Sequence, residues 1–326
     1  MDPSPDPALI THDFRVMGTD ARLVLRETGT ASRELLEEAE AELRRLDMLL
    51  TRFRSTSELE RLNDAGSADV GPEMLELLHA AADYTVQTDG RFDIGLGAQV
   101  VAAGYDRTYR ELPQVGDAER DALRQRMMTL AGSSTSAPDG SGSGTATARR
   151  LTPNYRIDGT RVTLRPGVRV DLGGLAKGWA SDRIARSLAE QSGASALASL
   201  GGDISVVVQD GDDPWPVAAS IGREGSMTLA LAFGGIATSG WDGRMWATST
   251  GTGIAHHVID PVTGESAMTD VAQITVVGAT CIDAEVWAKA LMLVGAQAAR
   301  AEAEARDITA LIIRADDTCI RTGALA

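Results

Sequence analysis

The chain has 326 residues, 43% of them hydrophobic and 24% charged, which is typical of a globular protein with a substantial buried core. Its formal net charge of −15 creates a long-range field that repels phosphate, which argues against a protein that binds nucleic acid or an anionic membrane surface. An anionic small molecule would therefore need a local positive site.

Cysteine content and the N-terminal segment bear on the compartment. Cys281 and Cys319 lie far apart and show no metal-ligand spacing, so the sequence suggests neither a disulfide scaffold nor a zinc site. The segment MDPSPDPALI lacks a basic region followed by an apolar run, and no stretch of 18 or more apolar residues occurs. We therefore expect a cytoplasmic protein that does not span a membrane.

The first elements follow from hydrophobic periodicity. Residues 1–12 are expected to be disordered, and residues 13–27 alternate apolar and polar around Gly18, as a half-buried strand with a break would. Apolar residues at helical spacing predict amphipathic helices over 32–53 and 72–87.

Glycine, aspartate and small polar residues mark the next segments. DGRFDIGLGAQV (89–100) begins a loop-rich region, and residues 132–149 are too poor in apolar groups to order, which predicts a flexible insertion. Further on, 161–174 reads as a hairpin. The remaining predictions are helices over 175–191 and 283–295 and strands within 196–209, 216–222, 272–279 and 307–314. Hairpins mixed with helices, without regular βαβ alternation, favour an α+β fold with mixed, largely antiparallel sheets, in a single domain over 13–326.

Lysine is rare in this sequence. Only Lys177 and Lys289 are lysines, so 31 − 2 = 29 of the basic residues are arginines. A coding bias would favour arginine on the surface, but it would not select which lysines remain. Because an ammonium is a compact point charge, each lysine is a candidate for a specific role.

The segment 168–185, VRVDLGGLAKGWASDRIA, reads as a strand that turns at Gly-Gly into an amphipathic helix with Lys177 in its first turn. Glycines let backbone N–H groups approach a phosphate, the helix N-terminus adds partial positive charge, and the ammonium adds a full charge. The alternative is a turn whose glycines serve only close packing. Lys177 favours an anion site.

Two segments carry histidines and hydroxyls. HHVIDPVTG (256–264) places His256 and His257 beside a predicted strand end, before an Asp-Pro turn. Either histidine could act as a base or contact a ligand, and the alternative is a hydrogen-bonded histidine at a capped strand end. ATSG (237–240), with Ser239, could be an ordinary hydroxyl-rich turn.

The helix DAEVWAKALMLVG also has two interpretations. Asp283 is a candidate N-cap, and Glu285 and Lys289 stand four residues apart, in the orientation that best supports an exposed helical ion pair. The functional alternative uses Glu285 as an oxygen ligand for Mg²⁺ and Lys289 as a charge that faces phosphate or replaces a cation.

Eight segments extend these observations. They are MGT (17–19), SELERLN (57–63), DGRFD (89–93), VDLGGLAKGWASDRIA (170–185), LGGD (200–203), ATSG (237–240), HHVIDPVTG (256–264) and AEVWAKAL (284–291). Together, in this order, they resemble the ApbE-like FAD:protein FMN transferase family. The resemblance implies an α+β enzyme that binds FAD, uses Mg²⁺ at the pyrophosphate and attaches FMN to a Thr or Ser of a target flavoprotein, with release of AMP.

The resemblance also implies roles for individual residues. Contacts with the flavin or its ribityl-phosphate arm are implied for Met17, Phe53 (often Tyr in the family), Arg91, Phe92 and Asp93. Other FAD contacts are implied for Asp171, Lys177, Ser239, His257 and Ile259. The implied metal site comprises Gly174, through its carbonyl, with Glu285, Ala288 and Lys289. The implied catalytic residues are His257 as base, with Lys177 and Lys289 as charges at the phosphates.

The sequence departs from the family at the metal site. The usual pattern is Asp with Thr four residues later, and here those positions hold Glu285 and Lys289. A protonated lysine has no acceptor and cannot ligate a metal. Either Glu285, Gly174, the Ala288 carbonyl and water hold the ion more loosely, or Lys289 partly stands in for it. Two alternatives to transfer stay open, namely an FAD pyrophosphatase that uses water and a non-catalytic FAD-binding protein.

Overall fold

The computed structural model describes residues 9–26, 29–133, 150–222, 225–241, 243–248 and 253–326. The described α-helices are α1 Thr30–Leu50, α2 Glu58–Ala65, α3 Pro72–Gln87, α4 Gly97–Ala102, α5 Asp117–Ser133, α6 Ala176–Ser192, α7 Cys281–Met292 and α8 Ala296–Ala305. The first strands are β1 Ile10–Val16, β2 Thr19–Leu25, β3 Ser67–Asp69, β4 Tyr155–Asp158, β5 Arg161–Leu164, β6 Ala196–Leu200, β7 Asp203–Val207 and β8 Trp215–Ser220. The others are β9 Ser226–Leu231, β10 Gly234–Gly240, β11 Met245–Ala247, β12 Ile254–His256, β13 Val271–Gly278, β14 Thr309–Arg314 and β15 Cys319–Thr322. No helix in these ranges is long and apolar enough to cross a membrane.

An eight-stranded sheet organises the molecule. Its strand order is β1-β2-β6-β7-β10-β13-β14-β15, and every neighbouring pair is antiparallel. Helices α1, α6, α7 and α8 pack against its strands, and a separate core cluster joins residues of the β8–β9 hairpin to the sheet. This arrangement confirms the predicted α+β class with largely antiparallel sheets, because helices pack against a sheet whose neighbouring strands are all antiparallel.

The N-terminal segment forms a hairpin rather than one broken strand. Strands β1 and β2 pair from Ile10 with Leu25 to Val16 with Thr19, and the two residues between them, Met17 and Gly18, have φ of 51° and 70°. Positive φ at both positions matches the two-residue hairpin turn whose twist suits antiparallel strands. The prediction of a disordered segment over 1–12 is therefore wrong for residues 10–12, which are paired in β1. Residues 1–8 lie outside the described ranges.

Other predicted elements agree more closely with the structure. Helices α1, α3, α6 and α7 lie within two residues of the predicted bounds, except that α1 and α7 each end three residues before the predicted end. The hairpin predicted over 161–174 is wrong, because β5 pairs with β4, on the N-terminal side, and with β3. The predicted insertion at 132–149 lies outside the described residues except for its first two, where α5 ends.

Two helices approach each other closely at the beginning of α7. A Cβ on Gly178 of α6 would lie 2.7 Å from the carbonyl oxygen of Cys281, so only glycine permits this distance. Thr280 is the N-cap of α7, where Asp283 was the predicted candidate, and Asp182 of α6 accepts hydrogen bonds from the amides of Cys281 and Ile282. The crossing brings the first turns of α6 and α7 side by side.

Candidate active site

A cavity of about 670 Å³ opens where the hairpin turn at Met17 meets the end of α1, the loop before α4 and the beginning of α6. Its size lies within the range of about 300–1,000 Å³ that is typical of small-molecule sites. The predicted site residues that line it are Met17, Phe53, Arg91, Phe92, Asp93, Asp171, Gly174, Lys177, His257, Ile259 and Lys289. Segments distant in sequence thus converge on one cavity.

Three predicted residues do not line the cavity. Ser239 is buried in β10, where it pairs with Ile274 of β13, and Ala288 of α7 is fully buried in the core. Glu285 is 1% exposed, but its carboxylate contacts two residues that do line the cavity. Ser239 and Ala288 are therefore buried away from the cavity lining, whereas Glu285 lies directly behind the cavity wall.

The cavity lining carries excess positive charge. It holds seven basic and four acidic side chains, in a protein whose net charge is −15. The basic side chains are Arg15, Arg52, Arg91, Arg110, Lys177, Arg244 and Lys289. This is the local positive site that the sequence required for an anionic ligand.

Lys177, Asp203, Glu285 and Lys289 form what we call the Lys–acid cluster. The Lys177 ammonium contacts the Asp203 carboxylate and lies 2.8 Å from Glu285 Oε1. Lys289 Nζ lies 3.2 Å from Glu285 Oε1 and 3.2 Å from the Glu285 carbonyl oxygen. Glu285 Oε2 accepts from the Gly178 amide at 2.8 Å. The two ammonium groups and two carboxylates balance in formal charge.

Burial and mutual attraction shift the pKa values in this cluster. Burial would raise the pKa of Glu285, but Lys177 and Lys289 outweigh it and hold that pKa well below its usual value. Burial would lower the pKa of Lys177, but Asp203 and Glu285 raise it. The pKa of Lys289 is lowered, mainly by burial, while Glu285 opposes that shift. Glu285 and Lys177 are therefore charged at neutral pH.

The residues of the predicted metal site do not fit a divalent ion. A Cβ on Gly174 would lie 3.5 Å from Lys289 Cδ and Cε, so Gly174, Glu285 and Lys289 do come together. However, both Glu285 oxygens already accept hydrogen bonds, and two of the donors are ammonium groups. In the described part of the chain, no group of three or more His, Cys, Asp and Glu side chains could hold a metal.

The two histidines have different environments. His256 is buried, its Nε2 lies 2.8 Å from the Ala267 carbonyl oxygen and its Nδ1 accepts from the Val258 amide, so it has a structural role. His257 lines the cavity, and its buried Nδ1 has no hydrogen-bond partner among the described residues. Burial, with the positive charge of Arg244, holds the pKa of His257 well below 6.5, so its ring is neutral.

An aromatic wall of the cavity is formed by the rings of Phe53 and Tyr105. The Arg52 guanidinium stacks 4.3 Å from the Phe53 ring centroid and 4.4 Å from that of Tyr105, and it pairs with Asp171 at 3.0 Å. Phe53 is 43% exposed, which is high for a phenylalanine. This wall offers a flat surface on which a planar ring could stack.

Two predicted flavin contacts use their polar groups within the protein. The Arg91 guanidinium forms two 2.5 Å hydrogen bonds with Glu302 of α8 and donates to the Thr88 carbonyl. Asp93 accepts from the Gly95 amide at 2.7 Å and from Asn154 at 2.6 Å. Both residues line the cavity, but these contacts show that they also hold the loop in place.

Sequence reasoning did not select several residues of the cavity and its support. Arg52, Tyr105 and Arg244 line it, and Asp203 anchors Lys177 from the beginning of β7. Asp203 stands in the LGGD segment, where an acid directly follows a glycine turn into a buried strand. That position was a usable signal, because a buried carboxylate requires a partner of opposite charge.

The fold and the cavity define an α+β protein with a cationic cavity of a size typical of small-molecule sites. The ApbE family model matches residues 17–312. The FAD:protein FMN transferase of Treponema pallidum is 30% identical over 283 residues, which cover 80% of this chain and 71% of that protein. The FAD:protein FMN transferase of Vibrio cholerae serotype O1 is 28% identical over 314 residues, which cover 92% and 86%. This chain belongs to the ApbE family.

A solved structure agrees at the level of the fold. The crystal structure of the ApbE protein of Thermotoga maritima matches this chain with a TM-score of 0.77 at 22% sequence identity, over 97% of each chain. The shared architecture covers the sheet and the helices that carry the cavity residues.

Proposed function

We propose that this protein is an FAD:protein FMN transferase, which moves FMN from FAD onto a Thr or Ser hydroxyl of a target flavoprotein and releases AMP. The observation that carries the proposal is the placement of Lys177, Lys289 and the neutral His257 in one cationic cavity of an ApbE-family chain. This combination suits a pyrophosphate and an incoming hydroxyl.

The proposed placement of FAD follows the chemistry of the walls. The isoalloxazine ring stacks on the aromatic wall near Phe53, and Met17 packs against it from the hairpin turn. The pyrophosphate lies at the beginning of α6, where Lys177 adds a full charge to the positive end of the helix dipole. His257 and Ile259 border the same cavity.

The proposed reaction exchanges one phosphorus–oxygen bond for another. The acceptor hydroxyl oxygen attacks the FMN-side phosphorus, and the bond from that phosphorus to the bridging oxygen breaks, so AMP leaves with the electron pair. The proton of the hydroxyl passes to His257, whose neutral ring can accept it. Lys177 and Lys289 stabilise the negative charge that develops on the phosphate oxygens.

Three further expectations concern the metal, the compartment and the acceptor. The Mg²⁺ expected from the resemblance would neutralise pyrophosphate charge, but the described residues do not fit it, so no step is assigned to it. The cytoplasmic location and the flavoprotein acceptor also remain predictions. The two free thiols, Cys281 and Cys319, support a reducing compartment.

The test is incubation of the pure protein with FAD and a flavoprotein domain that carries an acceptor Thr. We expect a flavin-fluorescent acceptor band on a denaturing gel, and none when that Thr is replaced by Val. AMP release without a labelled acceptor would indicate the hydrolytic alternative. FAD binding with neither product would indicate the non-catalytic one.

A further inference from the structure

Lys289 occupies the place where a metal ligand was implied, four residues after Glu285 on α7. Its Nζ lies 3.2 Å from the Glu285 carbonyl oxygen and 3.2 Å from Glu285 Oε1. A cation bound at this turn of the helix would use these same two oxygens. The ammonium therefore already fills the position of a cation on α7.

The other Glu285 contacts leave no room for a metal. Oε1 also accepts from Lys177 at 2.8 Å, and Oε2 accepts from the Gly178 amide at 2.8 Å. Mg²⁺ requires oxygens at about 2.0–2.1 Å in octahedral geometry. The Glu285 side chain is 1% exposed, so it cannot turn toward solvent to offer a free lone pair.

Charge balance leads to the same conclusion. The Lys–acid cluster contains two ammonium groups and two carboxylates, all with little solvent exposure. In the absence of FAD, adding Mg²⁺ would place four positive charges against two negative ones, at a depth where solvent screens poorly.

Lys289 also faces the substrate space. It lines the cavity beside Lys177, and its stem lies close to Gly174, where a Cβ would be 3.5 Å from Lys289 Cδ and Cε. An ammonium has three donors, and the two contacts with Glu285 use two of them. The third donor has no acceptor among the described residues, so it is left for a phosphate oxygen of a ligand in the cavity.

We propose that the Lys289 ammonium supplies the positive charge that a divalent cation would bring to the FAD pyrophosphate, so that this protein transfers FMN without Mg²⁺. This inference rests on the proposed function. Lys289 neutralises developing phosphate charge and forms no covalent bond, so the bond exchange written above is unchanged.

The first experiment measures FMN transfer by the wild-type protein in excess EDTA and in millimolar Mg²⁺. We expect rates that agree within about twofold, because the built-in ammonium leaves no role for the metal. A second readout is the melting temperature without FAD. Mg²⁺ should not raise it, since a ligand that does not bind the folded state does not stabilise it.

Substitutions at Lys289 provide the complementary test. Lys289→Met keeps the length of the side chain without its charge, and Lys289→Thr provides an oxygen donor. In EDTA both should transfer FMN at least about 100-fold more slowly than the wild type, the loss expected when one stabilising charge is removed. Arg300→Met, which removes an exposed cation on α8, is the control and should keep the wild-type rate.

The outcomes separate this inference from the proposed function. Wild-type transfer that EDTA abolishes and Mg²⁺ restores would overturn the inference alone, as would a wild-type melting temperature that rises with Mg²⁺. Either Lys289 variant transferring at the wild-type rate in EDTA would also overturn it. Absence of wild-type transfer to a competent acceptor in every buffer would contradict the proposed function instead.

Discussion

Lys177 connects the sequence pattern most directly to chemistry. Its ammonium joins Asp203 of β7 to Glu285 of α7, and its position in the first turn of α6 places it on the cavity wall. Each of these contacts comes from a different element, so the lysine has both a structural and an electrostatic role.

Replacing Lys177 by Met should therefore affect stability and transfer together. Removing the ammonium deprives the buried Asp203 carboxylate of its cationic partner. This should lower the free energy of unfolding by about 3–5 kcal/mol. Transfer should fall by about 100-fold or more, because a charge at the phosphates is lost. Urea unfolding and the transfer assay measure the two effects.

A double variant separates those two effects. Lys177→Met with Asp203→Asn removes both members of the pair and should recover part of the stability without recovering transfer. A double variant with wild-type transfer would contradict the role of Lys177 at the phosphates.

His257 is expected to set the acid limit of the reaction. Its folded pKa lies well below 6.5, mainly through burial, and the base works only when unprotonated. Transfer should therefore stay constant as the pH falls to about 6.5 and decrease only below it. A rate that halves near pH 6.5 would contradict this assignment.

The His257→Ala variant provides the matching kinetic test. Transfer should slow by about 10²–10⁴-fold, the usual contribution of a general base, while FAD binding is retained. His256→Ala should instead lower stability, since His256 bonds Ala267 and Val258 within the core. If His257→Ala and His256→Ala lost the same amount of transfer rate and the same amount of stability, His257 would not be the base.

At the scale of elements, the crossing of α6 and α7 assembles the site. Gly178→Ala would place a Cβ 2.7 Å from the Cys281 carbonyl oxygen, which forces the two helices apart. We expect a loss of about 1–3 kcal/mol in the free energy of unfolding and a larger relative loss of transfer, because Lys177 and Glu285 separate.

A substitution on the exposed face of α6 is the control for this prediction. Glu190→Ala alters an exposed position of the same helix and should leave unfolding and transfer nearly unchanged, because alanine favours helix. If Gly178→Ala behaved like Glu190→Ala, the helix crossing would not be what positions the cluster.

The elements also show what the sequence could predict. Strong apolar periodicity predicted α1 and α3, and the apolar segments 272–279 and 307–314 predicted strands where β13 and β14 lie. The strand β10 was not predicted, because ATSG reads equally well as a hydroxyl-rich turn. The predicted hairpin at 161–174 was wrong because the partner of β5 is β4, which the pattern of one segment does not reveal. Helix α8 was missed because its buried face consists only of alanines, Ala296, Ala299 and Ala303, and has no large apolar side chain to mark it.

The site could be predicted only in part for a similar reason. Lys177 and the family segments predicted one anion site, and most predicted residues do line one cavity. The partners of Lys177 and Arg91, namely Asp203 and Glu302, lie far along the chain, and only the folded structure brings them together. Long-range pairing, rather than local pattern, decided those contacts.

For the whole molecule, an acidic protein encloses a cationic cavity, and this contrast predicts ligand preference. FAD should raise the melting temperature more than riboflavin does at equal concentration, because riboflavin has no phosphate for the lysines. FAD at about 100 times its dissociation constant should stabilise the folded protein by about 2.7 kcal/mol. Equal shifts with riboflavin and FAD would contradict a phosphate site at Lys177.

The most direct test of the central claim is the intact mass of an acceptor flavoprotein after incubation with this protein and FAD. Transfer predicts an acceptor heavier by one FMN, linked to a Thr or Ser, and one AMP released for each acceptor modified. An unmodified acceptor, with FAD intact or hydrolysed to free FMN and AMP, would contradict it.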